Sequence, residues 1–218
     1  MQQMTSRVSR MFGRLVALAG VGLLPLAGAS AMLLAPEPDA IPRRWQVDVK
    51  MGGLRLAQFK QADGSTKAYF YLTYRVTNHT GEDILFAPGF ELANGEGEVI
   101  RSGRGVSIEA ANTIQQNLQN SYLEDQISVL GMLLQGDENA KEGIVIWPAN
   151  QMHLSEVTVY AAGFSGEVKV QPAKDPKTGE SVAFPLYKSM MIRYKLPGDL
   201  DSHGSEPFAP DETKWIMR

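Results

Sequence analysis

The stretch YFYLTYRVTNHTGEDILFAPGFEL, residues 69–92, constrains the fold most strongly, because its first half repeats with the period of two that is typical of a β-strand. The predicted core face carries Phe70, Leu72, Tyr74 and Val76. The opposite face carries Tyr69, Tyr71, Thr73 and Arg75. The polar segment NHTGED predicts a turn, and ILF and FEL predict two further strands.

Similar strand patterns occur before and after this stretch. Trp45, Val47, Val49 and Met51 alternate ahead of it, and GIVIWP, SEVTVYAAGF and SVAFPLYKSMMIRYKL follow it, separated by turn sequences. Many short strands joined by turns are typical of two packed antiparallel sheets. We therefore predict a mainly β protein, an antiparallel immunoglobulin-like β-sandwich over residues 45–198.

A helical pattern interrupts the strands between residues 107 and 135. Ser107 is a plausible N-cap, and the apolar residues after it fall at helical spacing: Ile108, Ala111, Ile114 and Leu118. A second apolar stripe has the spacing i, i+4, i+7 and i+11, and consists of Leu123, Ile127, Leu130 and Leu134. These stripes predict a two-helix insertion, with helices over about 107–119 and 122–135 packed on the sandwich.

The amino terminus has the composition of an export signal. Arg7, Arg10 and Arg14 precede an uncharged apolar run, and Ala29-Ser30-Ala31 supplies the small residues of a cleavage site. We predict a signal peptide over 1–31, a linker over 32–44 and a carboxyl-terminal extension over 199–218. The alternative is an uncleaved membrane anchor, because the apolar run continues to Ala35 and reaches the roughly 20 residues that span a bilayer.

Composition limits the possible cofactors and partners. The chain of 218 residues has no cysteine, which excludes disulfides and thiolate metal sites. Without residues 1–31, 18 basic residues remain against 24 acidic ones, a net charge of −6. An acidic surface argues against nucleic acid or anionic lipid as a partner, so a membrane contact is expected only if the amino-terminal segment stays uncleaved. We predict no cofactor.

Two longer segments resemble a known group of proteins. The order of YFYLTYRVTNHTGEDILFAPGFELANGEGEVI and, later, EGIVIWPANQMHLSEVTVYAAGF is similar to that of exported bacterial immunoglobulin-like β-sandwich proteins of unknown function. The resemblance covers about residues 69–100 and 143–163. It implies the sandwich fold and an extracytoplasmic location, and it carries over no catalytic residue.

No pattern in the sequence carries catalytic chemistry. His79, His153 and His203 lack the spacing of zinc ligands. The carboxylate pairs Glu96–Glu98, Glu124–Asp125 and Asp137–Glu138 lie in turn-like sequence. A periplasmic metal carrier would need His153 or His203 beside two methionines, and a carbohydrate-active enzyme would need two converging carboxylates.

Two groups of residues could form an interaction surface. Tyr69, Tyr71 and Arg75 share one strand face, which could stack on a sugar or a protein, although we expect the helical insertion to cover it. The leucine stripe of Leu123, Ile127, Leu130 and Leu134 becomes an interface if it projects into solvent.

We predict an exported, periplasmic or extracellular, non-catalytic binding or structural module of the cell envelope, whose partner is another envelope protein or a polysaccharide. The alternative is a carbohydrate-active enzyme.

Overall fold

The computed structural model describes residues 35–41, 44–60, 64–149, 155–175, 178–198, 200 and 203–218. The predicted signal peptide over 1–31, its cleavage before Met32 and the position of His153 lie outside these residues. In the part of the chain that is described, no helix is long and apolar enough to cross a bilayer.

The described part of the chain is mainly β, as predicted, and its elements follow one another in this order: β1 (Asp48–Met51), β2 (Arg55–Lys60), β3 (Thr66–Asn78), β4 (Ile84–Phe86), β5 (Gly89–Asn94), β6 (Val99–Arg101), α1 (Ile108–Asn117), β7 (Leu123–Glu124), β8 (Gly131–Leu133), β9 (Gly136–Pro148), β10 (Glu156–Ala162), β11 (Val168–Lys174), β12 (Ser181–Lys195) and β13 (Pro210–Met217).

The strands form two large sheets and one small one. The first sheet has the order β1-β3-β9-β7, with β2 also paired to β3. The second has the order β11-β12-β10-β5-β6, with β13 also paired to β12, and β4 pairs with β8 alone. Within the described residues the pairs of named strands are antiparallel, except that β7 runs parallel to β9.

A main core joins the two large sheets. The predicted core face of β3 supplies Phe70, Leu72, Tyr74 and Val76, all buried, and β9 adds Trp147 from the same sheet. The facing side chains from the second sheet are Phe90, Leu92, Val157, Val159, Ile192 and Tyr194. The architecture is therefore consistent with a β-sandwich, because apolar faces of both sheets contribute to one cluster.

A second core lies on the outer face of the first sheet, under α1. Tyr69 and Tyr71 of β3 pack there with Ala110 and Ile114 of the helix, so the first predicted helix covers this strand face as expected. The helix begins at the predicted N-cap, since the Ser107 hydroxyl accepts a hydrogen bond from the Ala110 N–H at 3.2 Å. Ile108 does not pack as expected, because its side chain is 81% exposed.

The prediction of a second helix over 122–135 is wrong. This segment forms β7, a turn and β8. A period-two alternation replaces the helical stripe, because Val129 and Leu133 are fully buried whereas Leu130, Met132 and Leu134 are exposed. Gly131 has φ +137°, which a residue inside an α-helix does not adopt.

The second sheet extends beyond residue 198. The segment 199–218, predicted as an extension, contains β13, which pairs with β12 from Lys188–Met217 to Tyr194–Pro210. Leu200 and Phe208 of the same segment are buried in the main core. These residues therefore take part in the packing of the described fold.

Candidate interaction surface

The small ribbon of β4 and β8 turns one apolar row inward and another outward. Ile84 lies opposite Leu133, and Leu85 lies opposite Met132. Ile84 and Leu133 belong to the main core. Leu85 is 72% exposed and Met132 is 52% exposed, so this pair presents its side chains to solvent.

Leu130 and Leu134 extend this outward row. Each lies two residues from Met132 in the chain, and both are exposed. Leu130 precedes β8 at the end of the turn and Leu134 follows β8, so exposed aliphatic side chains lie at both ends of this strand. We call Leu85, Leu130, Met132 and Leu134 the aliphatic patch. Contiguous exposed aliphatic side chains of this kind mark interaction sites in soluble domains.

A buried asparagine fixes the ribbon to the sandwich. Asn78, at the end of β3, donates from Nδ2 to the carbonyl oxygens of Glu82 at 2.9 Å and Leu133 at 2.8 Å. Its Oδ1 accepts from the N–H and the hydroxyl of Thr80. This is the turn chemistry expected of the segment NHT, and it holds β4 and β8 at a defined position.

The turn before β8 is held by one carboxylate. Asp125 accepts hydrogen bonds from the N–H groups of Ile127 at 2.7 Å and Ser128 at 2.9 Å, and from the Ser128 hydroxyl. The hydrogen bond from the Ser128 N–H has the largest effect and lowers the pKa of Asp125. Burial raises the pKa, and the bonds from the Ile127 N–H and the Ser128 hydroxyl lower it further, so the net shift is downward. Val129 is buried in this turn, whereas Ile127 is 68% exposed.

A groove of about 410 Å³ lies between this turn and α1. Its lining includes the exposed Ile108 and Ile127 and the buried Ile144 and Ile146 of β9. Asn112 and Gln115 of the helix supply polar groups. The groove can therefore accept an apolar side chain while offering a few hydrogen-bonding groups around it.

Exposed acidic residues flank the aliphatic patch along the chain. Glu82 and Asp83 precede β4, Asp125 begins the turn, and Asp137 and Glu138 follow Leu134. The Asp83 carboxylate is close to the end of β8, because it accepts from the Gln135 N–H at 3.0 Å. The surroundings of the patch therefore carry negative charge.

The nearby base Lys141 is already engaged. Its ammonium donates to the Val129 carbonyl oxygen at 2.9 Å and lies 3.5 Å from a Glu124 carboxylate oxygen. This lysine therefore does little to offset the exposed carboxylates around the patch.

The structure separates the residues predicted as an interaction surface. Tyr69, Tyr71 and Leu123 are buried in the second core. Arg75 is bound to Glu142 at 2.8 Å on the surface. Ile127, Leu130 and Leu134 are exposed, which is the condition under which the sequence indicated that the leucine stripe would form an interface.

Leu85 and Met132 were not predicted as surface residues. The available signal for Leu85 was its place between Ile84 and Phe86, because in a short strand with two buried neighbours the middle residue must face outward. For Met132 the signal was Gly131 beside it, which argues against a helix.

The described histidines have structural partners. His79 Nδ1 lies 2.8 Å from Asp48 and its Nε2 lies 3.5 Å from Asp137. His203 stacks on Phe208 with a centroid distance of 4.0 Å. Among the residues with described positions, no group of three or more His, Asp or Glu side chains could hold a metal ion.

The carboxylate pairs noted in the sequence also take part in local structure. Glu98 and the N–H of Glu96 bond to Asn94 in the turn between β5 and β6. Asp125 holds its own turn, and Glu124 and Asp137 form ion pairs with Lys141 and His79. These roles are typical of turn carboxylates.

Comparison with protein-family models, with curated proteins and with solved structures finds no match. The function proposed below therefore rests on the geometry and chemistry of this chain.

Proposed function

We propose that this protein is an exported, non-catalytic binding module of the cell envelope, located in the periplasm or outside the cell. The aliphatic patch carries this proposal. It is an outward row of leucine and methionine on a ribbon whose inward row is anchored in the main core. A rigidly held apolar surface suits binding of another molecule. The basic, then apolar amino terminus supports export.

An immunoglobulin-like arrangement fits this role. We infer this arrangement because the orders β1-β3-β9-β7 and β6-β5-β10-β12 can be aligned with the A-B-E-D and C′-C-F-G strands of immunoglobulin sandwiches. The parallel pairing of β7, the helix α1 and the ribbon of β4 and β8 are departures from that pattern. The aliphatic patch thus lies on a departure from the basic sandwich, where a function can be added without disturbing the core.

The partner that fits best is a protein with an apolar centre edged by lysine or arginine. The patch contains aliphatic side chains and is flanked by Glu82, Asp83, Asp125, Asp137 and Glu138. Opposite charge around an apolar contact favours such a partner and speeds its association. The same acidic residues disfavour a second copy of this chain, since like charges would then face each other.

A polysaccharide partner and a carbohydrate-active enzyme have less support. The two aromatic rings that the sequence indicated for sugar stacking, Tyr69 and Tyr71, are buried under α1. The candidate carboxylate pairs are engaged in turns and ion pairs. Binding of a protein therefore remains the function that these side chains favour.

A photocrosslinking experiment in intact cells tests the proposal. A photoreactive amino acid replaces Met132 in the aliphatic patch, and a control replaces Val99 of β6, which is also apolar and 44% exposed. We expect an adduct with a heavier protein from position 132 only, which is lost when Leu85→Asp is added. Absence of an adduct at 132, or an adduct of twice the chain mass, would overturn the proposal.

A further inference from the structure

Strands β11 and β12 continue beyond the sandwich as a two-stranded ribbon. Residues 181–187 of β12 pair with β11, whereas the pairing of β12 with β10 and β13 begins at Ser189 and Lys188. Within the described residues, the ribbon over 168–174 and 181–187 supplies no member of either core. An isolated ribbon gains little stability by itself, so its apolar residues call for an explanation.

One face of this ribbon is apolar throughout. Val168 lies opposite Tyr187, Val170 opposite Pro185, and Pro172 opposite Ala183. Residues directly opposite each other share a face, and so do residues two apart in one strand. All six side chains are exposed, with Val170 at 65%. We call this surface the ribbon face.

The other face is partly covered by the chain ahead of β1. Lys169 alternates with Val168 and Val170 and therefore points to the opposite side. Its ammonium binds an Asp39 carboxylate oxygen at 2.9 Å and also contacts the Glu37 carbonyl. The Asp39 N–H donates to Glu167 Oε1 at 2.8 Å. Residues 37–39 thus lie against the base of the ribbon on the side opposite the ribbon face, while Phe184, farther out on that opposite side, is 46% exposed.

Proline protects both edges of the ribbon. Pro185 lies opposite Val170, and Pro172 lies opposite Ala183, two residues farther along the ladder. Because the hydrogen-bonding pattern of an antiparallel pair repeats every two residues, both prolines lie in pairs of the same type. Proline has no N–H to donate, and in sheets it is found where the N–H would point outward from an edge. Another strand would lack a donor at each of these positions, so contact through the ribbon face is favoured over strand addition.

We propose that the ribbon face rests on the lipid surface of a membrane. The ribbon face consists of only six side chains, whereas a stable protein interface buries roughly 800 Å² per partner and about 20–30 residues a side. Lipid contact has no such minimum, because each buried methylene adds about 0.8 kcal/mol. Tyr187 is a residue type enriched at the membrane interface. The two prolines also remove two backbone donors that would otherwise lose water there.

The first described residues of the chain lie near the base of the same ribbon. Asp39 is fixed at the ribbon base, and Ala35, four residues earlier, lies within about 14 Å of it by chain length. The sequence that ends at Ala35 is an uncharged apolar run from Leu15. If that run is retained as an anchor, it brings the bilayer within reach of the ribbon face.

The absence of cysteine from the sequence allows a direct test. Val170→Cys carries an environment-sensitive fluorophore on the ribbon face, and Leu85→Cys carries it on the aliphatic patch as the control. The labelled protein, as isolated from cells, is mixed with phosphatidylcholine vesicles whose acyl chains are brominated. Because interfacial groups reach 5–10 Å into the bilayer boundary, we expect quenching at position 170 to exceed that at 85 by about twofold or more.

Three results would overturn the proposal. The first is equal quenching at both positions, and the second is failure of the labelled protein to associate with vesicles. The third is a spectral shift at 170 without lipid, accompanied by twice the chain mass, which would identify a second copy as the occupant. A Val170→Asp variant provides a second measurement, because we expect it to reduce quenching of a label placed at Pro172 while leaving the melting temperature unchanged.

Discussion

Met132 and Leu133 are adjacent in one three-residue strand, yet Leu133 is fully buried in the main core and Met132 is 52% exposed. In the ribbon of β4 and β8, the alternation of the strand therefore places a core residue next to a residue of the aliphatic patch. Leu133 attaches β8 to the sandwich, and Met132 belongs to the surface proposed to bind a partner.

This relationship predicts opposite effects of one substitution. Leu133→Asp places a carboxylate in an apolar core and should lower the free energy of unfolding by more than about 4 kcal/mol. Met132→Asp changes an exposed side chain and should alter it by less than about 0.5 kcal/mol. Urea denaturation followed by circular dichroism measures both. A comparable loss in the Met132 variant would show that the patch is part of the core.

The sequence predicted the strands with buried alternation and failed where two periods fit the same residues. The core face of β3 could be predicted because four apolar side chains alternate without interruption. Leu123, Ile127, Leu130 and Leu134 satisfy a helical spacing, while Val129, Gly131 and Leu133 satisfy a strand spacing. Tertiary packing decided in favour of the strand, because the core of the sandwich receives Val129 and Leu133.

The partner surface was only partly predictable for a related reason. Leu130 and Leu134 were identified from an amphipathic stripe, whereas Leu85 joins them through pairing between strands 45 residues or more apart in the chain. The ribbon face likewise depends on the register of β11 and β12. A sequence shows which residues alternate, but not which strand lies opposite.

Asn78 should be important for stability. Asn78→Ala leaves the buried Leu133 carbonyl oxygen without its partner and also removes the bond to the half-buried Thr80 N–H, and an unsatisfied buried group costs about 1–3 kcal/mol. The matched control is Asn94→Ala, which removes the same type of bond, to the Glu96 and Glu98 N–H groups, from an exposed hairpin. Thermal unfolding should show the larger loss for Asn78. Equal losses would mean that burial of Asn78 is not what matters.

The buried pair of Glu167 and Lys188 should make stability depend on pH. Their charged groups lie 3.0 Å apart and are almost completely buried. Burial, the largest influence, raises the pKa of Glu167, but the Asp39 N–H and the Lys188 ammonium together outweigh it and lower the pKa. The stabilisation is therefore present above the pKa of an unfolded glutamate and is lost as the pH falls through the folded pKa.

Melting temperatures between about pH 3 and pH 7 test this dependence, with Glu167→Gln as the comparison. The wild-type protein should lose more stability on acidification than the variant. Lys188→Met leaves the Glu167 carboxylate buried without its partner and should lower the free energy of unfolding by about 3–5 kcal/mol at neutral pH. Parallel acid profiles for wild type and Glu167→Gln would contradict the account.

His79 should titrate above the usual range of histidine. Its hydrogen bond to Asp48 raises its pKa most, with burial opposing and the charges of Asp137, Asp48 and Glu138 adding to the increase. Its contribution to stability is therefore present below the unfolded pKa and disappears as the pH rises through the folded pKa. Proton NMR measures the titration, and Asp48→Asn should return the pKa toward its ordinary value. An unchanged pKa in that variant would rule out the assigned cause.

The most direct test of the central claim uses two amphipathic helical peptides, each with a leucine face, one edged by lysine and the other by glutamate. Fluorescence anisotropy measures the binding of each peptide to the wild-type protein and to the Leu85→Asp, Met132→Asp double variant at low and physiological salt. We expect the lysine-edged peptide to bind more tightly than the glutamate-edged one and to lose affinity with salt. We also expect at least about a tenfold weaker affinity for the double variant, since each buried aliphatic contact is worth roughly 1.5–3 kcal/mol. Equal affinity of the lysine-edged peptide for the wild-type protein and the double variant would contradict the claim that the aliphatic patch is the binding surface.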